Sequence, residues 1–85
     1  MPQIDIYTSP LCGYCHMAKR LLTAKGAEFN EINVLGNETA RDEMVARAPG
    51  ARTVPQIFIG ETHVGGSDDL HALDAKGELD ALLAA

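Results

Sequence analysis

The sequence predicts an α/β fold: a four-stranded mixed sheet with helices on both faces. Three observations carry that expectation. Ile4-Asp5-Ile6-Tyr7-Thr8 alternates like a strand and is followed at once by apolar residues at helical spacing. A second strand-like run and a second helical run come next, and strand–helix–strand makes a right-handed parallel unit. The chain then closes with a hairpin and a helix. The order is β-α-β-α-β-β-α, and a sheet layered by helices fits it.

Each element has its own signals. Ile4 to Thr8 is the first strand, and Ser9-Pro10 breaks it. The first helix is expected from about Gly13 to Lys25, with Met17, Ala18, Leu21 and Leu22 on one face and Lys19, Arg20 and Lys25 on the other. Gly26 is its stop. Ala27 to Val34 is the second strand. Phe29 and Ile32 fall on opposite parities there, which predicts a bend or an irregular end. Gly36-Asn37 is a turn with Asn37 as N-cap, and the second helix runs through about Ala48, with Ala40, Met44 and Ala48 four apart. Pro49-Gly50 ends it. Val54 to Ile59 is the third strand. Gly60-Glu61 is a two-residue turn of type II′, and Thr62-His63-Val64 returns antiparallel. Ser67-Asp68-Asp69 starts a third helix carrying Leu70 and Leu73, Gly77 interrupts it, and a last helical turn or two carries Leu79, Leu82 and Leu83. Met17, Met44 and Phe58 are read as core.

Length and composition bound the function. Residues 1–85 make a single domain, and with 46% apolar residues they can bury one modest core against a sheet. The formal net charge of −5 argues against nucleic acid, which needs a basic patch. No apolar run approaches the roughly 20 residues of a membrane span. Two cysteines are too few for a secreted disulfide scaffold, so a reducing, cytoplasmic setting is expected.

Those two cysteines organise the chain. Cys12-Gly13-Tyr14-Cys15 lies where the first strand hands over to the first helix. The first turn of a helix presents unpaired N–H groups and the positive end of the dipole, so a thiolate at Cys12 would be stabilised there. Cys15 follows one turn later on the same face, close enough for a disulfide. Cys12 is therefore the expected exposed nucleophile and Cys15 the more covered resolving thiol. Two other readings carry less weight. A zinc site would need His16, His63 and His71 to complete it, and they are scattered along the chain. Cys12 to His16 also matches the spacing of a c-type haem attachment, but that would need export, and the chain opens on a strand without a signal peptide. A redox pair is favoured.

The segments Tyr7-Thr8, Cys12-Gly13-Tyr14-Cys15-His16, Thr53-Val54-Pro55-Gln56-Ile57-Phe58-Ile59 and Gly65-Gly66-Ser67-Asp68-Asp69-Leu70 come in the order found in dithiol glutaredoxins. Over essentially its whole length the chain resembles the small bacterial type of that family, which has the thioredoxin-like fold. The resemblance implies a glutathione-dependent thiol–disulfide oxidoreductase that reduces protein–glutathione mixed disulfides and protein disulfides. It implies catalytic Cys12 and Cys15, and a glutathione site built from Cys12, Tyr14, Thr53, Val54, Pro55, Gly66, Ser67, Asp68 and Asp69. Pro55 would be cis, and the strand edge at Val54 would pair with the cysteine of glutathione. Gly65-Gly66 would let the backbone come close to the ligand. The N–H groups of Ser67 and Asp68 would hold the γ-glutamyl carboxylate, and Asp69 would face the ammonium. Without the resemblance, the same residues read as a plain helix cap. Tyr14 would shape the rim of the groove, His16 would lie on the helix surface without an acid–base role, and Arg41 and Arg52 are candidates for the glycine carboxylate.

The resemblance further implies that no metal or prosthetic group is needed, that glutathione is the reductant, and that glutathionylated or disulfide-bonded proteins are the partners. A cytoplasmic monomer serving electron transport and cell redox homeostasis is expected. Three positions depart from the family pattern: Ser9 stands where many relatives have lysine, Gly13 where many have proline, and Ser67 where some have a further cysteine. Because of Gly13, a second reading stays open, an iron–sulfur carrier whose glutathione-ligated two-iron cluster bridges two subunits through their first cysteines. A thioredoxin served by a reductase is disfavoured by Tyr14 and the Gly-Gly-Ser-Asp-Asp segment.

Overall fold

The computed structural model describes residues 2–85. The strands are β1 (Ile4–Thr8), β2 (Asn30–Asn33), β3 (Gln56–Ile59) and β4 (Thr62–Gly65). The helices are α1 (Gly13–Ala24), α2 (Glu38–Arg47), α3 (Ser67–Ala75) and α4 (Glu78–Ala84). The sheet order is β2-β1-β3-β4, with β1 parallel to β2 and antiparallel to β3, and β3 antiparallel to β4. This is the expected four-stranded mixed sheet with helices on both faces, the thioredoxin-like arrangement.

Strand alternation divides the core in two. Ile4, Ile6, Ile57 and Ile59 face Ala18 and Leu22 of α1, Leu70 of α3, and Leu79 and Leu83 of α4. Tyr7 and Phe58, on the opposite parity, face Ala40 and Met44 of α2 with Val34 and Ala48. Each such Leu or Ile side chain withdrawn from water contributes about 1.5–3 kcal/mol. Lys25 Nζ bridges Asp74 at 2.7 Å and Asp80 at 3.0 Å, tying the end of α1 to α3 and α4.

Three expectations shift. Met17 is not core but 46% exposed. The buried stripe of α1 is Cys15, Ala18 and Leu22, and at about 100° per residue Met17 stands well off it. The adjacent apolar pairs Met17-Ala18 and Leu21-Leu22 leave the helix phase open by one residue in sequence. The second strand starts at Asn30 rather than Ala27, because Ala27 N–H still closes the end of α1 by donating to Leu22 carbonyl at 3.0 Å. The third strand starts at Gln56 rather than Val54. Pro55 has no N–H for the ladder, and the Val54–Pro55 bond is cis, as the resemblance implied. The hairpin turn has φ of +59° at Gly60 and no positive φ at Glu61, the pattern of type II′. Among the described residues no helix is long and apolar enough to cross a membrane.

Candidate active site

Cys12 is the N-cap of α1, in extended conformation. Its sulfur occupies the place of a capping oxygen and accepts the Cys15 backbone N–H at 3.1 Å. As a thiol it donates to the Val54 carbonyl at 3.4 Å. Cys12 is partly accessible, whereas Cys15 is fully buried. Burial pushes the Cys15 thiol up to about 12, the neighbouring Cys12 sulfur pushes the same way, and Lys19 acts weakly in the opposite direction. Lys19 is itself bonded to Glu31 at 2.8 Å, and the buried Thr8 hydroxyl donates to the same carboxylate oxygen. The two thiols thus differ: one is partly accessible and caps the helix, the other is buried and protonated at neutral pH.

An open cavity of about 640 Å³ lies against this corner. Tyr14, Thr53, Val54, Pro55, Gly66, Ser67, Asp68 and Asp69 all line it. Cys12, also expected in the glutathione site, is not part of this lining; its sulfur reaches the carbonyl of Val54, which is. Tyr14 is 61% exposed at the rim. The exposed Asp69 carboxylate accepts the Gly66 N–H at 3.0 Å, closing the start of α3. A side chain at Gly65, where φ is +112°, would run into that carboxylate, so this position requires glycine. Ser67 is buried, and its carbonyl accepts Nδ1–H of His71 at 2.8 Å. Arg41 and Arg52 lie outside this cavity and line a neighbouring one, and Gly50 and Ala51 line both. His16 is exposed, and its ring lies 3.4 Å from the Pro10 carbonyl. His16, His63 and His71 sit on α1, β4 and α3, and among the described residues no three His, Cys, Asp or Glu side chains gather as a metal site.

Sequence reasoning missed part of the lining: Pro49, Gly50, Ala51, Gln56 and His63. One signal was present for Gln56, a polar residue inside the otherwise apolar run Val54 to Ile59. None marks His63, whose neighbours in space come from other elements.

A strand leading into a helix capped by the first sulfur of a CxxC pair, beside a cis-proline, defines a thiol–disulfide exchange protein of thioredoxin-like fold. The glutaredoxin family profile matches residues 4–64. The chain is similar to Glutaredoxin 3 of Escherichia coli (strain K12), 54% identical over 83 residues that cover 98% of this chain and 99% of that one. It is similar to a glutaredoxin of Pseudomonas aeruginosa (strain PAO1), 58% identical over 85 residues covering the whole of both. Its structure resembles that of a buckwheat glutaredoxin–glutathione complex with a TM-score of 0.87 at 29% identity, covering 98% of this chain and 77% of that one. The chain belongs to the glutaredoxin family, whose members are thiol–disulfide oxidoreductases that use glutathione as reductant.

Proposed function

We propose that residues 1–85, acting as one domain and as a cytoplasmic monomer, reduce protein–glutathione mixed disulfides and protein disulfides with glutathione as electron donor. The observation that carries this reading is the Cys12 sulfur, held between the Cys15 N–H and the Val54 carbonyl at the edge of an open cavity. The Cys12 thiolate attacks the glutathione sulfur of a mixed disulfide. The Cys12–glutathione bond forms, the protein–glutathione bond breaks, and the protein thiolate leaves and takes a proton from water. A second glutathione thiolate then attacks the bound glutathione sulfur, releasing oxidised glutathione and restoring the Cys12 thiolate. On a protein disulfide, the Cys12 thiolate attacks one sulfur, the disulfide breaks and its other sulfur leaves as a thiolate; that thiolate takes the Cys15 proton, and Cys15 attacks the Cys12 sulfur. The substrate thiolate leaves, and two glutathiones later reduce the Cys12–Cys15 bond.

Glutathione fits this site with its cysteine along the Val54 backbone and its γ-glutamyl carboxylate at the Ser67 and Asp68 N–H groups. Asp69 supports the ammonium with the carboxylate oxygen that Gly66 does not use. Tyr14 borders the sulfurs, Thr53 and Pro55 form the wall below Val54, and Gly66 allows close approach. Arg41 or Arg52 takes the glycine carboxylate from the adjoining cavity. The buckwheat complex, a relative with glutathione in its name, supports this reading. The test is an assay on a glutathionylated peptide and a disulfide-bonded protein in parallel. Cys12→Ser loses both activities. Cys15→Ser keeps the first and loses the second. Activity in Cys12→Ser on either substrate would overturn the assignment of the nucleophile.

A further inference from the structure

Gln56 follows the cis-proline and is only 6% exposed, so both ends of its amide need partners. One end lies 3.0 Å from the Thr53 carbonyl, the other 2.7 Å from Nε2 of His63. The Thr53 carbonyl can only accept, so the amide nitrogen must face it. The amide oxygen then faces His63, and Nε2 of His63 must carry a proton. Hydrogen-bond capacity alone therefore fixes both the orientation of the Gln56 amide and the tautomer of His63.

His63 is held for this role by the sheet. It is the cross-strand partner of Phe58, two residues along β3 from Gln56 and on the same face. Its ring stacks on Phe58 with centroids 4.8 Å apart and planes 20° from parallel. The bond chain runs from β4 through Gln56 to Thr53, and the next carbonyl, that of Val54, meets the Cys12 sulfur.

We propose that His63, acting through Gln56, is a positioning residue for the glutathione-binding edge at Thr53-Val54. The link occupies the Thr53 carbonyl from within the protein and fixes the plane of the Thr53–Val54 peptide. That plane decides where the Val54 groups point, and so how well they meet an extended cysteinyl ligand. The inference rests on the glutathione reading above and adds a residue to it.

Steady-state kinetics with a glutathionylated peptide, over a glutathione series, tests the inference in three proteins. His63→Phe keeps the aromatic stack on Phe58 and removes the donor. Its KM for the peptide is expected to rise roughly three- to tenfold, the range that losing one neutral hydrogen bond allows, with kcat nearly unchanged. His63→Gln restores a donor at similar reach and is expected to return KM to within about twofold of the wild type. Thermal melting confirms that each variant folds. A second readout does not depend on activity: long-range proton–nitrogen NMR in mildly alkaline buffer should show His63 as the Nε2–H tautomer. An Nδ1–H tautomer would overturn the inference, as would an unshifted KM in His63→Phe or a His63→Gln that fails to recover. A wild type with no activity on the glutathionylated peptide would instead overturn the glutathione reading on which it rests.

Discussion

Cys12 and Cys15 are the same chemical group three residues apart, and their surroundings separate them. The N-terminal turn of α1 supplies an N–H to Cys12, while burial keeps Cys15 protonated. That division was legible in sequence, because it follows from the register of one strand–helix junction. Since burial raises the Cys15 thiol to about 12, it stays neutral and unreactive through the neutral range and ionises only as pH climbs toward that value. Iodoacetamide on the native reduced protein near neutral pH is therefore expected to give a single adduct, on Cys12. Cys15 should react only after unfolding or in strongly alkaline solution. Peptide mapping by mass spectrometry decides it, and a native adduct on Cys15 would contradict its burial. The roles of Gln56 and His63 were not legible in the same way. Their meeting depends on the β3–β4 register, which shifts between Ile57 and Phe58, and spacing within one element does not encode that shift.

At the scale of elements, the helix starts were the most readable features. Asn37 caps α2 by accepting the Ala40 N–H at 3.1 Å, and its side chain announces that role. The start of α3 carries more. Asp69 closes the cap through one carboxylate oxygen, and the other makes no bond among the described residues. A single side chain thus serves both readings of this segment, the helix cap and the ammonium partner. The two can be told apart by comparing variants. Asn37→Ala should cost about 0.5–2 kcal/mol of stability and leave the KM for glutathione unchanged. Asp69→Ala should cost a similar amount and also raise that KM several-fold, while the iodoacetamide rate at Cys12 changes little because the thiol sits on a different helix. Urea melts beside a glutathione series separate these outcomes. A KM unchanged in both variants would return Asp69 to capping alone. Strand ends were harder to read, since a strand ends where its partner does: Ala27 is drawn into the closure of α1, and Val54-Pro55 into the loop beside the sulfurs.

Across the whole molecule, one polar cluster ties the α2 face together, and its members are far apart in sequence. Arg47 at the end of α2 reaches Asp5 at 3.0 Å and the Tyr7 hydroxyl at 3.1 Å, and lies 4.0 Å from the centre of the Phe58 ring. Tyr7 in turn donates to Glu43 at 2.7 Å. Asp5 also accepts from Asn30 on β2 and from Gln3, so its carboxylate joins two strands and a helix. Burial pushes Asp5 upward, but the bonds from Asn30, Gln3 and Arg47 more than reverse this and hold it below its ordinary value. Glu31 shifts in the same direction, mainly through its bond from Lys19, with burial opposing and Thr8 adding to it. A carboxylate depressed in the folded state stabilises the protein above its unfolded pKa, and that contribution disappears as pH falls through the folded value. The protein should therefore lose stability through the acid range below about pH 4. Asp5→Asn tests the larger share, because Asp5 is the more buried of the two and Glu31 is better screened by water. The variant is expected to be less stable at neutral pH by about 1.5 kcal/mol, the loss of a charge-assisted bond. It should also lose less further stability on acidification than the wild type does. Urea midpoints measured at neutral and acidic pH give both quantities, and parallel curves for the two proteins would show that the charge of Asp5 does not hold α2 to the sheet.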